Sequence, residues 1–139
     1  MDDALRVLLV EDDPAVREMM TEFLLQEGYR TRAAADGPTA LAMFAEEPAE
    51  IVVTDVRLPG MDGLEVLSRI KKAGPDTCVV VMTGYGSEDT AIRAMRGGAS
   101  NYFKKPVSLA ESGYALGILA DLAGSSRARA CSRSAASSS

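Results

Sequence analysis

The chain of 139 residues contains no histidine. Histidine titrates nearest to neutral pH among the side chains and is the commonest metal ligand. Histidine-based catalysis, metals held by histidine and a phosphohistidine on this chain are therefore excluded.

Cysteine is scarce, with two residues in the whole chain. Cys78 lies inside an apolar stretch, and Cys131 lies in a tail rich in serine and arginine. The pair has neither the spacing of metal ligands nor the pattern of a disulfide framework. We therefore expect that the fold needs no disulfide, and the cysteine content fits a cytoplasmic, reducing location.

Long apolar runs are also missing, because nowhere do about 18 apolar residues follow one another. The N-terminus is acidic before a short apolar run, whereas a signal peptide begins with basic residues and a longer one. Acidic residues outnumber basic ones by 20 to 15, and three arginines lie beyond residue 123. We expect neither a membrane nor nucleic acid as a direct partner.

Apolar residues follow two alternating spacings. Continuous or period-2 stretches indicate strands at 7–10, 29–34, 51–54, 77–82 and 101–104, and stretches of period 3.6 indicate helices after them. The first helix is predicted to bury Val16, Met19, Met20, Phe23 and Leu24, and the fourth to bury Ala91, Ala94 and Met95. Five βα units predict an α/β domain over 1–123, with a parallel sheet between two helix layers. Residues 124–139 are predicted to form a disordered Ser/Arg-rich tail or the start of a linker.

Polar or charged side chains follow four of the predicted strands. Glu11 and Asp12 follow the first strand, Asp55 the third, Thr83 the fourth and Lys105 the last. The carboxyl ends of parallel strands meet at one edge of a sheet, so these side chains are expected to share one crevice.

Three carboxylates would converge there from Glu11, Asp12 and Asp55. Two like charges about 4 Å apart repel by about 4 kcal/mol at an effective dielectric constant near 20, so the cluster needs a cation. Hard oxygen ligands open to water suit Mg²⁺, with Mn²⁺ as a substitute. The alternative is that the acids at 11–13 only cap the first helix, an interpretation that we favour for Asp13 alone.

Asp55 is the candidate nucleophile, because aspartate carboxylates form acyl phosphates. The Thr83 hydroxyl and the Lys105 ammonium are the groups that a phosphoryl group on Asp55 would need opposite the metal. The alternative is that Asp55 is a solvated turn residue. Gly60 and Gly63 are interpreted as turn formers, since their spacing matches no phosphate-binding fingerprint.

These motifs resemble the receiver domain of two-component response regulators. The resemblance covers residues 5 to about 112 and rests on Glu11-Asp12, Asp55 with the sequence to Gly63, Thr83-Gly84 and Lys105-Pro106. The segments 82–87 and 98–103 are most similar to receivers of enhancer-binding activators and hybrid kinases. The resemblance implies a flavodoxin-like (βα)5 sandwich whose parallel strands have the order 2-1-3-4-5.

The resemblance also implies a role for each matching residue. Asp55 would accept a phosphoryl group, and Mg²⁺ would be bound by Glu11, Asp12, Asp55 and the backbone carbonyl of Arg57. The phosphoryl oxygens would be bound by Thr83, the Gly84 amide and Lys105, with a cis Lys105-Pro106 bond in the loop. Thr83 and Tyr102 would act as the switch, and Arg57 and Tyr85 would tune the phosphoryl lifetime. Tyr102 equally fits a strand aromatic that only packs against a helix.

The implied partners are a sensor histidine kinase or phosphotransfer protein, a downstream effector domain or protein, and a second copy in a phosphorylation-dependent homodimer. The domain would not be an ordinary enzyme, although it would catalyse its own Mg²⁺-dependent phosphorylation and dephosphorylation. An aspartyl phosphohydrolase is an alternative, but it needs a second Asp where Arg57 lies. A flavin-binding domain would not place acids after the first strand. A pseudo-receiver that only docks partners is the remaining alternative.

Overall fold

The computed structural model describes residues 5–83 and 88–104, and only the backbone at residues 83, 88, 103 and 104. Strands and helices alternate along these residues, as the apolar spacing predicts. They are β1 (Arg6–Val10), α1 (Pro14–Gln26), β2 (Arg30–Ala34), α2 (Gly37–Glu46), β3 (Ile51–Asp55), α3 (Gly63–Ala73), β4 (Cys78–Thr83), α4 (Glu88–Arg96) and β5 (Asn101–Lys104). The predicted fifth helix and the tail 124–139 lie outside the described residues. None of the described helices has the length and apolar composition to cross a membrane.

The five strands form one parallel sheet in the order β2-β1-β3-β4-β5, which confirms the predicted flavodoxin-like order 2-1-3-4-5. In the register of β1 and β3, Val10 is paired with Thr54. Glu11 follows Val10 and Asp55 follows Thr54 in the sequence, so both carboxylates lie at the same edge of the sheet.

Alternate strand residues pack on opposite faces of the sheet. Val7 and Leu9 belong to the apolar cluster that includes α1, whereas Leu8 and Val10 belong to the cluster that includes α2, α3 and α4. All four side chains are fully buried. Because helices cover both faces, the inner strands are apolar at consecutive positions.

The predicted apolar faces of α1 and α4 are wrong at one residue each. Met20 and Ala94 are buried, but their neighbours Met19 and Met95 are 46% and 49% exposed. Consecutive residues on a helix differ in direction by about 100°, so only one of each pair can point at the sheet. The spacing indicates the buried stripe but not where its edge lies.

Cys78 lies in the cluster on the α1 face and is fully buried. Cys131 lies outside the described residues.

An ion pair joins the start of β1 to the residue before β3. Arg6 donates from its backbone N to Glu50 Oε1 at 2.7 Å and from Nη2 to Oε2 at 2.7 Å, while Glu50 N donates to Arg6 O at 3.1 Å. Burial raises the pKa of the Glu50 carboxyl, but the hydrogen bonds from Arg6 and the charge of Arg6 together lower it by more. The pKa of Glu50 therefore lies below its usual value. The pair therefore supports the register of β1 and β3.

We expect Glu50→Gln to lower the free energy of unfolding by roughly 1 kcal/mol at neutral pH, because a charge-assisted pair in a half-buried position is lost. A carboxyl whose pKa is lower in the folded state stabilises above its unfolded pKa, and this contribution is lost as pH falls through the folded pKa. Urea unfolding should therefore show a deficit at neutral pH that shrinks as the pH falls below the usual pKa of a glutamate carboxyl.

Glu65→Gln is the matched control, because Glu65 pairs with Arg69 on the exposed face of α3 at 2.7 Å. Exposed pairs of this spacing contribute about 0.3–0.5 kcal/mol. A Glu50 variant that loses no more than the Glu65 variant would contradict the expectation.

Candidate functional site

Three carboxylates meet at the carboxyl-terminal edge of β1 and β3. One ligand oxygen from each of Glu11, Asp12 and Asp55 lies within 4.8 Å of the others. Glu11 is fully buried, Asp55 is 5% exposed, and Asp12 is exposed. The predicted convergence of these side chains is thus present, with two of them inside the protein and one at its surface.

Glu11 is held by the loop that it begins. Its backbone N donates to Ala34 O at 3.0 Å, which extends the pairing of β1 with β2 by one residue. Its Oε2 accepts a hydrogen bond from Asp13 N at 3.1 Å. A buried carboxylate is costly without such a partner, so this bond supports both the burial and the orientation of Glu11.

Asp13 is the N-cap of α1. Its Oδ1 accepts hydrogen bonds from Ala15 N at 2.9 Å and Val16 N at 3.3 Å, and its side chain is exposed. The preference for a capping role at Asp13 is confirmed. Capping by Asp13 leaves the two acids before it to form the carboxylate cluster.

Asp55 is the last residue of β3 rather than the first residue after it. Its Oδ1 accepts a hydrogen bond from Arg57 N at 3.2 Å, and Val56 N donates to Met82 O of β4 at 2.8 Å. Backbone contacts on both sides therefore fix the direction of this carboxylate. Arg57 itself has an exposed side chain at the surface.

An open cleft adjoins the carboxylates. It has a volume of about 630 Å³ and is lined by Asp12, Val56, Arg57, Leu58, Pro59 and Asp62. Gly60, in the same loop, has a φ of +81°, which confirms its role as a turn former. A solute reaching the carboxylates through this cleft would pass between Asp12 and the loop after β3.

The donor set fits a hard divalent cation. Mg²⁺ binds oxygen ligands at 2.0–2.1 Å in octahedral geometry, which spaces ligand oxygens roughly 3 to 4 Å apart. Oxygens already within 4.8 Å of one another need small side-chain rotations to reach that spacing. Glu11, Asp12 and Asp55 are therefore suited to hold such an ion.

Several predicted site residues are described only in part. Thr83 ends β4, one position beyond Met82, which is paired with Asp55 in the register. This places its backbone at the same edge of the sheet. Gly84, Tyr85, Lys105 and Pro106 lie outside the described residues.

Tyr102 lies in β5 and packs against the apolar cluster on the α2, α3 and α4 face. Its hydroxyl is buried and has no hydrogen-bond partner among the described residues. Burial raises the pKa of the Tyr102 hydroxyl. The packing that the sequence suggested for this aromatic is present. Burial of its hydroxyl without a hydrogen-bond partner is unfavourable, because the hydroxyl loses its hydrogen bonds to water.

Gly63 contributes to the site in a way that the sequence did not reveal. A Cβ at this position would lie 2.0 Å from Asp55 O, and Gly63 N donates to Val56 O at 2.7 Å. Gly63 begins α3, so its role is close packing against the backbone of β3 rather than turn formation. The feature of the sequence that points to this role is the position of the glycine, directly after the helix N-cap Asp62, where no turn requires a glycine.

Comparison with known proteins identifies the same class of protein that the fold and the carboxylate cluster indicate. Residues 7–113 match the response regulator receiver domain family. The chain is 44% identical over 103 residues to the response regulator protein FleR of Pseudomonas aeruginosa, covering 74% of this chain and 22% of that protein. It is 36% identical over 106 residues to sporulation initiation phosphotransferase F of Bacillus subtilis, covering 76% of this chain and 86% of that protein.

A solved structure agrees with these matches. A response regulator receiver domain protein from Methanospirillum hungatei superposes with a TM-score of 0.82 at 30% identity, covering 85% of this chain and 94% of that one. The chain therefore belongs to the receiver domains of two-component response regulators. It spans about a quarter of the length of relatives such as FleR and the regulatory protein AtoC of Escherichia coli, of which it covers 22% and 23%.

We expect Gly63→Ala to destabilise the fold by roughly 3 kcal/mol or more, because the added Cβ meets backbone atoms that cannot rotate away. Gly28→Ala is the matched control, since Gly28 has a φ of +95° but nothing within 4 Å of an added Cβ. That variant should lose only about 1–2 kcal/mol, from backbone strain alone. Urea unfolding measures both, and equal losses would contradict the close-packing role.

Proposed function

We propose that this receiver domain is a phosphorylation-controlled signalling module whose phosphoacceptor is Asp55. The donor would be the phosphohistidine of a sensor histidine kinase or a phosphotransfer protein. The observation that supports this most is the meeting of the Glu11, Asp12 and Asp55 carboxylates beside an open cleft. These 139 residues contain no histidine, so a donor histidine would lie outside them.

In the proposed reaction, an oxygen of the Asp55 carboxylate attacks the phosphorus atom of the donor. A new O–P bond forms as the P–N bond to the donor imidazole breaks. The imidazole, which carries a proton on its other ring nitrogen, takes the bonding electrons and leaves as neutral imidazole. A carboxylate nucleophile needs no general base, so the task of the protein is to position it. The hydrogen bond from Arg57 N to Asp55 Oδ1 supports this positioning.

Glu11, Asp12 and Asp55, with the backbone carbonyl of Arg57, would hold Mg²⁺, for which Mn²⁺ can substitute. The ion supplies positive charge beside the carboxylates and the phosphoryl oxygens. Thr83 and the Gly84 amide would bind the phosphoryl oxygens, and Lys105 would pair with one of them. The same residues would support hydrolysis of the acyl phosphate, with Arg57 and Tyr85 affecting its rate.

Thr83 and Tyr102 would carry the signal to the face that includes α4 and β5. The buried Tyr102 hydroxyl supports this role, because an orientation in which it finds a partner would recover a lost hydrogen bond. A cis Lys105-Pro106 bond would shape the neighbouring loop. On the same face, Ile92 and Met95 of α4 are each 49% exposed, which suits contact with an effector or with a second copy in a phosphorylated homodimer.

Within a longer regulator, residues 1–123 would form the receiver, and residues 124–139 would be a tail or lead into a linker. The long relatives named as response regulators, FleR and PilR of Pseudomonas aeruginosa, support an effector domain or protein downstream. The receiver itself would contact proteins rather than nucleic acid, given its acidic balance.

Intact-mass measurement after incubation with a small phosphodonor tests the phosphoacceptor. We expect wild type to gain a single phosphoryl group only when Mg²⁺ is present, and Asp55→Asn to gain none. An unmodified wild type would favour a pseudo-receiver that only docks partners. Rapid release of inorganic phosphate over many turnovers would favour an aspartyl phosphohydrolase.

Neighbouring acids after β1 give a matched test of the metal ligands. Asp12→Asn should weaken Mg²⁺ binding about tenfold or more in titration calorimetry, because it removes a charged ligand. Asp13→Asn removes the same charge one residue away and preserves the N-cap, since asparagine caps helices as well as aspartate does. It should change the Mg²⁺ dissociation constant by less than about threefold, from the lost charge alone. Equal weakening in the two variants would argue against Asp12 as a ligand.

A further inference from the structure

Arg17 of α1 contacts the backbone of the two acids that follow β1. Its Nη1 donates to Glu11 O at 2.9 Å and to Asp12 O at 3.4 Å. Arg17 N also donates to Asp13 O at 2.9 Å, within the first turn of the helix. One side chain is thus bonded to consecutive carbonyl groups of the segment that supplies two carboxylates of the cluster.

These contacts restrain the direction of the carboxylates. A peptide group is planar, so a bond to its carbonyl oxygen fixes the orientation of the whole plane. The planes on either side of Asp12 are both bonded to Arg17, and together they limit φ and ψ at Asp12. Since the Asp12 side chain is exposed, its direction depends on this backbone more than on packing.

The same restraint reaches Glu11. Asp13 N donates to Glu11 Oε2 at 3.1 Å, and this amide belongs to the peptide group whose carbonyl is that of Asp12. A rotation of that plane would move the amide away from the buried carboxylate. Arg17 is therefore placed to preserve the orientation of both acids.

The charge of Arg17 acts in the opposite direction, because a cation near a metal site repels the metal. Because water and salt screen charges at the surface, we expect this repulsion to change affinity by only about twofold. Residues that orient metal ligands from behind typically change metal affinity by 10–100-fold when they are removed. The orienting effect is the larger of the two.

We propose that Arg17 is a positioning residue for the divalent-cation site, acting through the Glu11 and Asp12 carbonyls. This inference rests on the proposed Mg²⁺ site. The planar guanidinium suits the role, because it directs its donors in fixed directions, whereas a lysine ammonium is a flexible point donor.

Titration calorimetry with Mg²⁺ tests the proposal on the full chain. We expect Arg17→Gln to raise the Mg²⁺ dissociation constant about tenfold or more, and Arg17→Lys to give an intermediate value. Arg96→Gln is the control for net charge, because Arg96 is an exposed residue at the end of α4. It should change the dissociation constant by less than about twofold.

Two results would overturn the proposal. Tighter Mg²⁺ binding by Arg17→Gln would mean that the residue acts only through its charge. An unchanged dissociation constant with a lower free energy of unfolding in urea would mean that it only supports the fold.

A metal-free measurement separates this inference from the proposed function. We expect amide hydrogen exchange at Asp13 to become several-fold faster in Arg17→Gln, because its acceptor Glu11 Oε2 is no longer held in place. Exchange at the β3 amides of Val52 and Val53 should stay unchanged. If wild type binds no Mg²⁺, the proposed function fails, while the exchange rate at Asp13 still decides whether Arg17 orders the loop. An unchanged rate there would overturn the positioning role.

Discussion

The parallel register of β1 and β3 is the constraint on which the site depends. The Arg6–Glu50 pair lies at one end of this register, and the pairing of Val10 with Thr54 lies at the other. Side chains alternate between the faces of a strand, so a slip of one residue would send every apolar side chain of β1 to the opposite face. The packing of both faces therefore also fixes where Glu11, Asp12 and Asp55 emerge.

The three carboxylates repel one another at this edge of the sheet. Unit charges 4.8 Å apart, the limit within which the three oxygens lie, repel by about 3–4 kcal/mol at an effective dielectric constant near 20. The apolar clusters on the two faces hold the strands together in spite of this repulsion. A cation that binds the folded state alone would relieve it and stabilise the fold in proportion to the logarithm of its concentration.

Sequence patterns predict the alternation of strands and helices and the carboxylate cluster because both depend on where strands end, whereas the order of the strands was implied by the resemblance to receiver domains. Buried strands such as Ile51–Asp55 are apolar runs bounded by polar residues, and that contrast is readable along the chain. The capping role of Asp13 is readable for a similar reason, since a cap acts on amides two or three residues away. Predictions limited to neighbours in sequence therefore succeed.

Features that depend on approach in three dimensions are not readable in this way. Gly63 is required because α3 lies directly against Asp55 O, and Arg17 matters because its guanidinium reaches back across a turn to Glu11 O. Neither contact has a characteristic spacing. The exposure of Met19 belongs to the same class, since it depends on how α1 is rotated against the sheet.

The three acids differ in burial, so the site is open to solvent on the Asp12 side. Glu11 and Asp55 are enclosed by the sheet and its loops, whereas Asp12 is exposed and lines the cleft with Arg57. A cation or a phosphoryl donor would therefore approach from the Asp12 side, while the carboxylates behind Asp12 are already oriented by the amides of Asp13 and Arg57. Because those amides belong to the loops that leave β1 and β3, the rigidity of the sheet reaches the reacting groups through the backbone. The precision of the site then depends on loop geometry at two strand ends, and substitutions that shift those loops should matter as much as substitutions of the acids themselves.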